Sequence, residues 1–98
     1  MTFEFWDNDI GIELRVTLTD SDRAAVDLTG GTATLRVPGQ TARTCTVMNQ
    51  VTNLGTVSYT TIALDFTPGE YSGQIRVALP DGSTRHSDVF TLAVSKAT

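Results

Sequence analysis

At 98 residues the chain has the length of one domain, residues 1–98, and no room for a second core. It is 40% hydrophobic and 18% charged, with nothing close to the roughly 20 consecutive apolar residues that span a bilayer, and its one cysteine, Cys45, excludes an internal disulfide. The net charge is −4, and six arginines and one lysine stand singly among carboxylates; nucleic acid and anionic membranes call for clustered positive charge, so neither is an expected partner.

The chain opens on Met1-Thr2-Phe3-Glu4-Phe5-Trp6-Asp7. Acids stand where a signal peptide carries positive charge, and no apolar stretch follows, so the expected setting is a cytosol or release from one by lysis. Residues 1–10 read as an N-terminal arm or an edge strand. Phe3, Phe5 and Trp6 hold three of the seven aromatics, which makes them the candidate partner-binding residues, because aromatics supply much of the energy of protein interfaces. The alternative role is structural, with Phe3 and Phe5 on an edge strand and Trp6 covering one end of the core.

From Ile12 onward, apolar and polar residues alternate with period two, the pattern of a sheet with one wet face. Ile12, Leu14, Val16 and Leu18 form the first such run, followed by turn chemistry at Asp20-Ser21-Asp22 and at Thr29-Gly30-Gly31. Ala33, Leu35 and Val37 form the next, and Val37-Pro38-Gly39-Gln40 reads as a tight turn into Cys45 and Val47. A polar loop over Asn49 to Gly55 precedes Val57 and Tyr59. Thr67-Pro68-Gly69 leads into the long run Tyr71, Gly73, Ile75, Val77 and Leu79, and Leu79-Pro80-Asp81-Gly82-Ser83 reads as a hairpin before Phe90, Leu92 and Val94. The 17 threonines, 9 valines and 4 isoleucines fit this reading, since branching at Cβ suits a pleated surface better than a helix.

Short strands separated by regular turns predict an all-β, immunoglobulin-like two-sheet antiparallel sandwich of about seven strands, with a small barrel as the alternative. Tyr71 supports the sandwich: a tyrosine opening a strand after Pro68-Gly69 occupies the place of a tyrosine corner, whose hydroxyl bonds back to upstream backbone. Ala42 to Met48 and Phe90 to Ser95 carry little charge or proline, which would leave them poorly protected if they lay at sheet edges.

Chemistry is sparse. His86, the only histidine, is flanked by Ser87 and Asp88, but neighbours on a strand point to opposite faces and do not converge as a triad does. Asp7-Asn8-Asp9 and Asp20-Ser21-Asp22 have the alternating acids of calcium loops without the glycine and distal glutamate that complete one. Turn acceptors are the expected role of Asp20, Asp22, Asp27 and Asp81. One cysteine and one histidine do not make a zinc site, and Gly30-Gly31 precedes no helix that would hold a phosphate. Cys45 reads as a small buried hydrophobe. The expectation is a binding protein, not an enzyme, with no catalytic residues, cofactor or metal.

Several segments, in order, resemble the immunoglobulin-like domain at the N-terminus of phage baseplate upper proteins and in small phage structural proteins. They are Ile12-Glu13-Leu14-Arg15-Val16-Thr17-Leu18-Thr19-Asp20, Val26-Asp27-Leu28-Thr29-Gly30, Ala33-Thr34-Leu35-Arg36-Val37, Gly55-Thr56-Val57-Ser58-Tyr59, Pro68-Gly69-Glu70-Tyr71 and Asp81-Gly82. The likeness runs from about Phe5 to Val94. These are fold residues, so the resemblance carries over no catalytic or binding site. It implies a virion protein assembled in the host cytoplasm, with major capsid or tail and baseplate proteins as partners and a homo-oligomer as a further form. With no trimerising helix or second module before Thr98, capsid decoration is the first expectation, and a neck, tail or baseplate accessory the second. A carbohydrate-binding module is the alternative from another class, with Trp6 and Tyr59 as its candidate aromatics. A detached adhesin repeat is disfavoured for want of an export signal.

Overall fold

The computed structural model describes residues 1–7, 9–62 and 66–97. The strands are β1 (Thr2–Trp6), β2 (Glu13–Thr17), β3 (Thr32–Arg36), β4 (Arg43–Thr44), β5 (Thr46–Val47), β6 (Thr56–Thr60), β7 (Gly69–Ala78), β8 (Thr84–His86) and β9 (Phe90–Ser95). There is no helix among the described residues. Burial follows the sequence alternation: in β2, Leu14 and Val16 are buried between exposed Glu13, Arg15 and Thr17, and β9 buries Phe90, Leu92 and Val94.

Two sheets form. One runs in the order β1-β9-β7-β3-β4, with β8 also paired to β7, and the other in the order β2-β6-β5. Their inner faces close over one apolar cluster that includes Leu14, Leu18, Leu28, Leu35, Val57, Ile75 and Leu92. Each fully buried side chain of this kind contributes roughly 1.5–3 kcal/mol. The protein is an all-β two-sheet sandwich. It is not the alternative barrel, because no ladder among the described residues joins β1 to β2 and closes the ring.

Two strands are interrupted in ways that explain the count of nine segments. β4 pairs with β3, whereas β5, one residue further on, pairs with β6 in the opposite sheet. The crossing falls at Cys45, whose N–H still reaches Ala33 O at 2.9 Å. β8 and β9 lie in succession along one side of β7, with β3 on the other. Ser87 sits at the break: its N–H donates to Ile75 O (2.9 Å), and its hydroxyl accepts from Ile75 N (3.0 Å) and donates to Asp88 O (2.9 Å). A side chain therefore replaces one rung of the ladder where the strand shifts. Taken as two interrupted strands, these four segments leave a seven-stranded sandwich among the described residues.

The pairing of β1 departs from the antiparallel expectation. It runs parallel to β9, from Thr2 opposite Thr91 to Trp6 opposite Ser95. Parallel neighbours need a long crossover rather than a hairpin, and here nearly the whole chain intervenes. This places β9 in the interior of its sheet, so Phe90 to Ser95 is not an edge; its lack of charge reflects burial between β1 and β7. Ala42 to Met48 does lie at edges, as the short β4 and β5.

The turns form as their residues dictate. Gln40 N bonds Val37 O (3.1 Å) across Pro38-Gly39 with φ of 78° at Gly39, the geometry of a type II turn. Leu79 and Ser83 close the hairpin at 2.9 Å. Tyr71 Oη donates to Thr67 O at 2.7 Å, completing a tyrosine corner. The Asn49–Gly55 loop is held by Gln50, a role with no sequence signature: its Oε1 accepts from Leu28 N (3.0 Å) and Gly55 N (2.8 Å), and its Nε2 donates to Met48 O (2.7 Å). Gly55, at φ 74°, is packed so tightly that a Cβ would come within 2.8 Å of Leu18 O.

Candidate functional site at the edge of strand β1

Strand β1 is the outermost strand of the larger sheet. Thr91 N donates to Met1 O (3.0 Å) and Asp7 N to Ser95 O (2.9 Å), so the odd-numbered residues turn their peptide groups toward β9. By alternation, the N–H and C=O of Thr2, Glu4 and Trp6 face away from the sheet. Those of Trp6 are taken: Asp9 Oδ2 accepts its N–H at 3.0 Å, and Asp9 N donates to its C=O at 3.1 Å. Among the described residues, no strand pairs with the outward groups of Thr2 and Glu4.

Side chains alternate on the same strand. Phe5 is buried, edge-on to Phe66 with ring centroids 5.9 Å apart, and half-buried Phe3 makes a perpendicular contact with Phe90 at 5.4 Å. Phe66 is covered in turn by Tyr71 at 5.6 Å and by the Arg43 guanidinium 4.1 Å above its ring. Two of the three aromatic candidates thus pack on the core. Trp6 does not cover the end of the core; it is 53% exposed.

Trp6 borders an open groove of about 500 Å³ along the β1 edge, with Glu4, Asp9, Ile12 and Ala93 among its walls. The bond from Gly11 N to Thr61 O (2.9 Å) sets Gly11 beside Thr61, and exposed Ile10 and Ile62 adjoin these two residues in sequence. Glu4, on the outer face, stands opposite Ala93, which stands opposite Glu70 on β7, in one row across three strands. From sequence, Trp6 stands out as a candidate, whereas Glu4 does not, Ile12 figures in the first alternating run, and Asp9 in a calcium-like acidic triplet. The signal for Asp9 was an acid three residues after a strand-ending tryptophan, the spacing of a side-chain cap on the backbone.

The remaining candidates do not gather. His86 is exposed on β8, while Ser87 is buried with its hydroxyl engaged by Ile75 and Asp88. Asp7 Oδ1 accepts from Ala97 N (3.0 Å), and Asp20 Oδ1 accepts from Asp22 N (2.9 Å) and Ala24 N (3.0 Å). Asp22 contributes its amide, and its carboxylate accepts no hydrogen bond among the described residues. Asp27 and Asp81 each cap two residues ahead, on Thr29 and Ser83, and the hydroxyl and amide donors there hold both carboxyls below their ordinary range. Asn8 of the first acidic triplet, and Asp65 before the tyrosine corner, lie outside the described residues. Cys45 is half-buried, and burial pushes its thiol up to about 11, far from a reactive thiolate. Tyr59 is buried, which removes one of the two aromatics a sugar platform would use. Compared with known proteins, the chain matches no family model, and no curated protein is significantly similar to it.

Proposed function

We propose that this chain is a non-enzymatic structural protein of a bacteriophage particle that docks on the virion. Capsid decoration is the first placement, and a neck, tail or baseplate position the second. Two things support the reading: the ordered resemblance to phage immunoglobulin-like domains, and the edge of β1, which no strand among the described residues pairs with, beside the exposed Trp6. The edge is the observation that carries it, because a sandwich with a filled interior acts through its surface, and unpaired strand backbone next to an exposed tryptophan is a surface suited to another protein.

Quantitative mass spectrometry of purified particles tests this. The expected result is co-purification at a copy number set by particle symmetry, with a lattice-wide stoichiometry marking decoration and a small fixed number marking the tail or neck. Absence of the protein from intact particles overturns the proposal.

A further inference from the structure

We infer that the outer edge of β1 accepts an extended, basic segment of the partner protein as an added strand. The inference deepens the docking reading and rests on it. Three features of this edge select such an occupant. The N–H and C=O of Thr2 and Glu4 point outward in strand geometry with no pairing strand among the described residues, which is the template that strand addition uses. The edge ends where Asp9 ties off both peptide groups of Trp6, so the free stretch is short and its register has a fixed stop. The groove beside it has Ile12 and Trp6 for apolar contact and the exposed carboxylate of Glu4 for charge.

Side chains alternate along an added strand, so an occupant that alternates basic and apolar residues matches both elements. The acid also decides against a second copy of this chain as occupant. Pairing two β1 edges brings Glu4 of one close to Glu4 of the other in a chain that already carries −4, and like charges on facing strands are destabilising.

The test uses the full chain and two synthetic peptides of equal length, one alternating lysine and valine, the other glutamate and valine, followed by amide NMR. The lysine peptide is expected to shift the Thr2 and Glu4 amides and the Trp6 indole, and to slow exchange of the two outward amides. The glutamate peptide is expected to leave them unmoved. Glu4→Pro removes one outward N–H and none of the bonds to β9, a place where an edge strand tolerates proline; it is expected to weaken the lysine peptide about tenfold. Should Glu4→Pro unfold the protein, Glu4→Lys serves instead, keeping the backbone and transferring preference to the glutamate peptide.

Equal response to both peptides, shifts confined to other surfaces, or unchanged affinity in the variant that folds overturns the inference, and so does a dimer in sedimentation that protects Thr2 and Glu4 without peptide. The two readings fail separately. A Glu4→Pro protein that still loads fully onto particles contradicts the added strand and leaves virion docking standing. Lysine-peptide binding by a protein absent from particles does the reverse.

Discussion

Strands β1 and β2 invite comparison, since each has five residues and each ends a sheet. β2 buries Leu14 and Val16 almost completely, continues into Leu18 at 1% exposure, and lays the Glu13–Arg15 ion pair along its outer face. Beside that pair, the Thr17 hydroxyl meets Thr56 on β6 at 3.1 Å. β1 buries Phe5 but only half-buries Phe3, and its outer face presents Thr2, Glu4 and an exposed Trp6. One edge is anchored deeply and dressed with charges of both signs, the usual protection against stray pairing. The other leaves Phe3 partly exposed and carries a single acid and an indole. The difference separates an edge whose side chains are mostly core from one that, in the proposed reading, is left for a partner.

The largest effect that would sharpen this contrast is on stability. Leu14→Ala is expected to cost about 2–5 kcal/mol in chemical denaturation, as for other fully buried leucines, whereas Phe3→Ala, at a partly exposed position, is expected to cost less than the roughly 3–5 kcal/mol of a fully buried phenylalanine. Equal losses would mean β1 is as much a core strand as β2. Next comes Gln50→Ala, which leaves the Leu28 and Gly55 amides without their acceptor and should cost about 1–3 kcal/mol; Gln50→Glu retains the accepting oxygen and should recover most of that loss. Tyr71→Phe removes the corner bond to Thr67 and is expected to cost about 1 kcal/mol.

Trp6→Ala breaks the comparison from the other side: stability is expected to change by less than about 0.5 kcal/mol, while loading onto particles falls. A large stability loss would place Trp6 in the core. The smallest effect concerns acid. Asp27 and Asp81 have lowered folded pKa values, caused first by the Thr29 and Ser83 hydroxyls. Their contribution is therefore present above the unfolded carboxylate pKa and lost as pH falls through the lower folded values. Asp27→Ala with Asp81→Ala should flatten the acid limb of a pH titration of melting temperature; an unchanged limb contradicts the capping role.

Much of the sandwich could be read from residues alone, because local geometry writes it locally. Leu14, Val16 and Leu18 alternate because a pleated strand has two faces, and Pro38-Gly39 and Pro80-Asp81-Gly82 turn because their backbones favour it. The tyrosine corner was equally legible, as its bond spans four residues. Strand order was not. Phe90–Ser95 looks the same at an edge as in the middle of a sheet, and its place beside β1 depends on contacts about ninety residues apart. The crossing at Cys45, the Ser87 bracket and the Gln50 clamp were hidden for the same reason: each joins a local residue to backbone distant in sequence, from 12 residues away for Ser87 to 22 for Gln50. At the candidate site, composition drew attention to Phe3, Phe5 and Trp6 together. Only the alternation of β1 against β9 separates the two rings that face inward from the one that faces out.

Residue-resolved hydrogen exchange on the isolated protein tests most directly whether β1 has a free side. The Phe3, Phe5 and Asp7 amides, bonded to β9, are expected to be protected, while those of Thr2 and Glu4 exchange at nearly the rate of an unstructured chain. Uniform protection from Thr2 to Asp7 would show the edge already covered and would contradict the account.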